Sequence, residues 1–343
     1  SGRYPQFSGS KNGAGVTIRN SKDGILKNVR AGNDASGRNA IPNSWVGIHL
    51  DTTLRMVVSN SVLSGNKGDG ITVRSDVPTS TSLNTLYLGT DATGAAALPN
   101  GYSGAWIDAP KVNMTDCVAS GNGGSGIGYG PRGTGNIKAC KAGTNKNGAV
   151  AIPNVYQGVA MAGAKDWTVS SCVLSGNGND GIAVYAQAAR GSITACRFGL
   201  GPNNEPLPDH SSGIWIGDGS DAIAVSACTI AGIEGTGINI GQSTGVSIKG
   251  STVADCNGQG IAIYGGASTA FVENVTVSGC KVNALAIFGE ATQGNTIRSL
   301  RSQSNGWAGI QLFEGTHHNR IESSVVLGYT GIGIGLQDGT HHN

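Results

Sequence analysis

Four polar side chains in the first third of the chain have the types and spacing to act on a sugar polymer. His49 and Asp51 stand in Gly-Ile-His-Leu-Asp, Arg74 in Gly-Ile-Thr-Val-Arg and Asp108 in Gly-Ala-Trp-Ile-Asp. Each segment alternates apolar and other residues, which is the period of a strand. Stacked as successive rungs, they put Asp51, Arg74 and Asp108 in one outward column, the two carboxylates ~9–10 Å apart at the backbone. Carboxylates separated by ~6.5–9.5 Å can hydrolyse a glycosidic bond with inversion, one as acid and one as base. Arg74 between them would lower both pKa values, which suits a base better than an acid. It would equally neutralise the carboxylate of an acidic sugar, as lyase and epimerase chemistry requires. Asp76 and Lys111 lie close in sequence. The competing reading is a surface salt-bridge ladder of little energy.

A second set is aromatic. Trp106, Tyr185, Trp215, Tyr264, Phe288 and Phe313 occupy outward positions of the same kind of segment. Exposed aromatic faces stack against the apolar C–H surface of sugar rings. The alternatives are stacking between rungs, or a face covered by a partner subunit, as in a homotrimer. Glu290, Glu314 and Asp338 form a carboxylate series beside the last rings, and Asp218 and Asp221 lie near Trp215.

These columns exist only if the chain repeats, and it does. The glycine–aliphatic–x–aliphatic motif starts at residues 15, 47, 70, 104, 126, 158, 181, 213, 237, 260, 284 (alanine here), 309 and 333. The intervals alternate between 32–34 and 22–23 residues up to Gly213 and are 23–25 thereafter. A short strand at that interval, with two more apolar patches between, predicts one solenoid coil per repeat, about 13 coils and a rod of roughly 60 Å. Glycine, at 57 of 343 residues, is too dense for helices.

Two further registers agree. Asn43, Asn66, Asn100, Asn122, Asn154, Asn177, Asp209 and Asn305 each stand four residues before the motif. Asparagine tolerates left-handed backbone and can hydrogen-bond along a stack. Cys117, Cys140, Cys172, Cys196 and Cys228 also track the coil interval, while Cys256 and Cys280 share the asparagine position. Side chains one coil apart sit ~4.8 Å from each other, wide of disulfide geometry, so these read as buried free thiols.

On these repeats the chain resembles the right-handed parallel β-helix proteins of the pectate-lyase-like superfamily, over residues 11–343. The resemblance implies an all-β, right-handed parallel β-helix in one domain: a lead-in over 1–10, double coils with loop inserts over 11–212, and regular short coils over 213–343 that end within a coil. It also implies that ligands lie on the outer face of a long parallel sheet. The superfamily holds lyases, hydrolases, epimerases, phage tailspikes and non-enzymatic surface proteins, so fold does not choose among them. No YG-x-DPH segment of the alginate epimerase kind is present; the nearest is Tyr129-Gly130-Pro131-Arg132, which lowers that reading.

The long coils carry related inserts over 31–43, 88–100, 142–154 and 198–209, and 31–43 reads Ala-Gly-Asn-Asp-Ala-Ser-Gly-Arg-Asn-Ala-Ile-Pro-Asn. Similar segments look like those of large bacterial surface β-helix proteins. The inserts are expected to line up on one side of the rod. Asp34 and Asp91 take equivalent places in them and are the candidate calcium ligands; otherwise no cofactor and no metal site is expected. His317–His318 and His341–His342 recur in identical Gly-Thr-His-His-Asn segments and should stack.

Lys+Arg 23 against Asp+Glu 21, with no basic run, argues against nucleic acid, and no apolar run is long enough for a membrane span. The expected partner is a polysaccharide, with a homotrimer or continuation of the solenoid beyond Asn343 as further expectations. The resulting functional expectation is an extracellular, cell-surface or virion-surface β-helix that recognises polysaccharide: a depolymerase, by hydrolysis or β-elimination, or a tailspike-like protein. Asp51, Asp108, Arg74 and His49 are the catalytic candidates, and Trp106, Tyr185, Trp215, Tyr264, Phe288 and Phe313 the sugar platform. The alternative is a non-catalytic structural or adhesive rod.

Overall fold

Wherever the motif recurs it forms a short strand, because its two aliphatic residues face inward together and the glycine lets the chain enter close to its neighbours. The computed structural model describes residues 4–343, so residues 1–3 of the expected lead-in lie outside the described residues. Thirteen motif strands, from Val16–Arg19 to Ile332–Leu336, pair in parallel in one uninterrupted sheet, one strand per coil. We call it the motif sheet. The remaining 23 strands form a second parallel sheet that bends around a corner, two short strands or one long one per coil. The chain is thus a parallel β-helix of 13 coils.

The core is the stack of inward residues. Ile48 and Leu50, Ile71 and Val73, Ile214 and Ile216, and Ile238 and Ile240 are fully buried, facing Val58, Leu83, Met114 and Ile248 of the second sheet. Trp167 and Tyr129 fill the wider middle coils; the Tyr129 hydroxyl donates to the Val112 carbonyl at 2.8 Å. All seven thiols are free and buried, and the hydrogen bond with Cys172, together with burial, pushes the Cys196 thiol up to about 12.

Each bend has its own local cause. Between the two short strands of the second sheet one residue per coil has positive φ, including Asn28, Asn60, Thr85, Asp116 and Ala139. A single left-handed residue reverses the side-chain alternation and turns the backbone without breaking parallel pairing. At the bend before the motif sheet the asparagines form a buried chain. Asn43, Asn66, Asn100, Asn122 and Asn154 each donate from Nδ2 to Oδ1 of the next member at 2.9–3.0 Å, and Asn177 donates to Asp209 at 3.0 Å. The same Nδ2 groups also donate to main-chain carbonyls such as Leu63 O and Leu88 O. A shorter amide column, Asn295–Asn319–Asn343, occupies the bend after the motif sheet.

The inserts are small hairpins, closed by antiparallel bridges Asn33–Ala40, Thr90–Ala97, Thr144–Ala151 and Leu200–Pro206. They stack on one another across two coils, Ala92 N donating to Gly37 O and Lys146 N to Gly94 O, both at 2.9 Å. The Asp34 carboxylate accepts from Ser36, Asn39 and the Arg38 amide, and Asp91 accepts from Thr93 and the Ala95 amide. Both therefore close their own loops. The histidines stack in two columns, His317 on His341 at 4.9 Å and His318 on His342 at 5.2 Å between ring centres.

Two predictions follow from the amide column. Asn122→Ala leaves one Nδ2 hydrogen of Asn100 without its acceptor in the core, while the Leu88 carbonyl keeps its bond from Ser120 N; at ~1–3 kcal/mol per unpaired buried group, chemical denaturation should show a loss of that size. Asp209, fully buried with Oδ2 unpartnered, has its carboxyl pushed well above the usual range by burial. The folded chain then holds a proton that the unfolded chain releases near pH ~4. Its stability contribution is complete below that value and is lost as pH rises. Asp209→Asn should flatten this decline, read as melting temperature against pH.

Candidate functional site: the outer face of the motif sheet

The register places the predicted charged residues in one column: Asp51 pairs across to Arg74, and Arg74 to Asp108. Their environments, however, differ from two free carboxylates flanking a cation. Asp108 is buried and is held by Arg132, whose guanidinium and main-chain N–H both bind it; the same guanidinium reaches Asp76 at 2.7 Å. Burial raises the Asp108 pKa, but the Arg132 hydrogen bonds and charge outweigh that and leave it below the ordinary carboxylate value. Asp51 is half-exposed and pairs with Arg19 at 3.3 Å. Asp108 is thus moved away from proton donation, and both carboxylates are engaged in ion pairs. Among the described residues Arg74 makes no ion pair, although it is exposed and bracketed by both acids.

His49 also departs from expectation. It stands on an outward position, yet the ring is buried beneath Trp45, edge to face at 4.6 Å, and both ring nitrogens lack a partner. Desolvation lowers its pKa and the nearby Asp51 only partly offsets this, so the imidazole is neutral at physiological pH. A neutral ring sealed from solvent cannot reach a substrate unless Trp45 moves.

The aromatic residues divide into two kinds. Tyr264, Phe288 and Phe313 stack face to face, with ring centres 5.2 and 5.1 Å apart and nearly parallel planes. Both faces of Phe288 are thereby occupied, so this ring supports the sheet and presents only its edge outward. Trp106 and Trp215 instead lie down over glycines. A Cβ on Gly128 would sit 2.6 Å from the Trp106 ring, and one on Gly217 2.6 Å from Trp215. The Tyr264 ring, at the end of its stack, has Gly241 on its other side, where a Cβ would come within 2.9 Å. Tyr185 leans on Trp215, 6.2 Å between centres, half-buried beside Asp218.

Trp215 is the floor of a groove. On one side a cavity of about 310 Å³ is lined by Gln157, Asn179, Asp180, Ser212, Asn239 and Tyr264. On the other, a space of about 240 Å³ is lined by Asp218, Gln242 and Tyr264. Asn239 donates to the Ser212 hydroxyl at 2.8 Å, and Ser212 N–H donates to Asp180 at 3.0 Å. Asp180 has no cationic partner among the described residues, and burial raises its pKa despite its serine hydrogen bonds. Asp180 is thus, unlike Asp108, a carboxyl whose pKa is moved upward. It was missed because it sits one residue before the motif glycine, in the bend; the matching Asp69, likewise raised by burial, was the available signal. Arg132 was missed because 24 residues separate it from Asp108. No cluster of three or more metal-ligating side chains occurs among the described residues, and no helix there could cross a membrane.

Arg132→Gln should raise the Asp108 pKa, because it removes the hydrogen bonds and charge that oppose burial. Carbon-detected NMR titration of the carboxyl would show the upward shift, and Asp180 should be unaffected.

Comparison with known proteins agrees with this architecture. The mannuronan C-5 epimerase AlgE4 A-module of Azotobacter vinelandii superposes with a TM-score of 0.52 at 14% identity, covering 95% of this chain and 90% of that one. The AlgE6 A-module of the same organism gives 0.46 at 14% identity, with 90% of each chain covered. The Dettilon tailspike protein gives 0.44 at 11% identity, covering 91% and 61%. At 14% identity the likeness to the AlgE4 A-module is one of fold. No curated protein matches the chain. The model of the family described as right handed beta helix region matches residues 47–204, 151–299 and 212–343. The chain belongs to the right-handed β-helix family.

Proposed function

We propose that the protein recognises a polysaccharide outside the cell or on a cell or virion surface, and that the glycan lies on the outer face of the motif sheet across Trp215. The observation that carries this reading is the Trp215 groove. An indole held flat over glycine offers its open face to the apolar side of a sugar ring. The carboxyl, amide and hydroxyl groups of Asp180, Asn179, Gln157 and Ser212 line one wall, where sugar hydroxyls need donors and acceptors. A carboxyl whose pKa is raised is also better placed to donate a proton to a leaving oxygen than one held down by a cation. The mannuronan C-5 epimerase A-module, whose name mentions a polysaccharide, supports the choice of ligand class by analogy of fold.

A second reading, β-elimination on a uronate-containing chain, is favoured by Arg74. An exposed guanidinium free to pair with a sugar carboxylate would neutralise it, as removal of the adjacent carbon-bound proton requires. The ion pairs of Asp51 and Asp108 suit this better than they suit inverting hydrolysis, which needs a protonated acid.

Trp215→Ala should weaken polysaccharide binding on the order of tenfold, the loss of roughly one aromatic contact, in affinity electrophoresis against neutral and acidic polymers. The folded state is checked by melting temperature. If wild-type protein shifts with no polymer, the reading fails and a structural rod stands. Incubation of the same polymers with the protein, followed by chain length and absorbance of unsaturated ends, tests cleavage. New absorbance that Arg74→Ala abolishes would establish elimination; shortened chains without absorbance would establish hydrolysis; intact chains that co-elute would establish a binding module.

A further inference from the structure

Three aromatic rings outside the motif strands form a second row. Two residues after the buried asparagine, the bend carries Trp45, Gly68, Tyr102, Gly124 and Tyr156 in consecutive coils. Main-chain hydrogen bonds fix this register: Gly68 N donates to Trp45 O, Tyr102 N to Gly68 O, Gly124 N to Tyr102 O and Tyr156 N to Gly124 O, at 2.6–3.3 Å. Aromatic residues thus occupy every second coil and glycine every coil between, following the double-coil repeat. All three rings are exposed: Trp45 by 41%, Tyr102 by 68% and Tyr156 by 55%. Nothing in the packing of the core asks for large aromatic groups there. Trp45 alone has an internal task, sealing His49.

The row continues into the groove. The next two coils place Asn179 and Ser211 in the same column, Asn179 N donating to Tyr156 O and Ser211 N to Asn179 O. Both line the cavity beside Trp215. The spacing of the rings is two coils, ~9–10 Å. A β-1,4-linked polysaccharide in its extended two-fold form turns successive rings over, so it presents an equivalent face every second sugar. Its rings advance by about one coil spacing each, ~5 Å. The two repeats are commensurate.

We propose that Trp45, Tyr102 and Tyr156 are an extended series of sugar subsites that guides a β-1,4-linked polysaccharide along the helix axis into the Trp215 groove. The inference rests on the groove reading and adds the linkage, the direction of the chain and the residues that hold it. Lys67, exposed between Trp45 and Tyr102, accommodates an acidic as well as a neutral chain. A ring at every second coil cannot serve equally a helical polymer whose faces rotate out of register.

Isothermal titration of the full chain with β-1,4-linked oligosaccharides of three and ten residues, neutral and uronate series, tests this. Wild-type protein should bind the longer chain on the order of tenfold more tightly or better, since it gains at least one aromatic contact. The variant Tyr102→Ala/Tyr156→Ala should lose that gain and keep its affinity for the trisaccharide. Both positions are exposed, and an unchanged melting temperature confirms the fold. Equal affinity of wild type for both lengths, or an unchanged long-chain affinity in the variant, would overturn the row while leaving the groove. If no oligosaccharide of either series or length binds, the groove reading falls with it.

Discussion

The column of buried amides at the bend before the motif sheet is the constraint from which the rest of the structure follows. An asparagine in that place cannot be solvated, so its carbonyl and amino groups must be satisfied within the stack. Each amide accepts from the coil before and donates to the coil after, and its second donor hydrogen closes on a main-chain carbonyl. That geometry tolerates only one vertical spacing and one register. Long and short coils therefore leave and rejoin the same line, whatever the length of their inserts. A slip of one residue would leave a row of core amides without partners. Asp209 continues the row with a carboxyl and holds a proton as a consequence.

Fixed register turns sequence repeats into surface columns, and glycine decides what those columns can do. Where a strand residue outside the core is glycine, a neighbouring aromatic ring can lie down on the sheet, as Trp106 does over Gly128 and Trp215 over Gly217. Where consecutive coils all carry a large ring, the rings stand up and stack, as Tyr264, Phe288 and Phe313 do. The first arrangement leaves an open face; the second consumes it. The same alternation of aromatic and glycine recurs at the bend in Trp45, Tyr102 and Tyr156.

Charge obeys a similar logic. Asp108 and Asp180 are both largely buried carboxyl groups near the motif sheet, but one meets a guanidinium and the other meets serine. Arg132 provides Asp108 with two kinds of donor and a full positive charge, which outweighs desolvation. Asp180 has only neutral donors, and desolvation prevails. The two acids are thereby driven in opposite directions by partners that lie on different coils. Desolvation moves His49 away from its charged form as it does Asp180, and the nearby Asp51 offsets this only in part.

Most of the fold was legible in the amino-acid sequence because a solenoid writes its period directly into the chain. The motif glycines, the asparagines four residues before them and the cysteine spacings each report the coil independently, and the observed strands, amide column and buried thiols occupy those positions. The membership of the Asp51–Arg74–Asp108 column was legible too, since within one sheet a shared register is a matter of counting. What counting could not reach was lateral: which side chain bends back over its neighbour, and which cation arrives from a loop. Arg132 reaches Asp108 from the bend of the next coil, Trp45 folds over His49, and Asp180 becomes part of a groove only because Trp215 and Asn239 stand on the following coils. Sequence periodicity determines position along and around the rod; burial, ring orientation and pKa depend on contacts between coils, and those exist only once the stack is assembled.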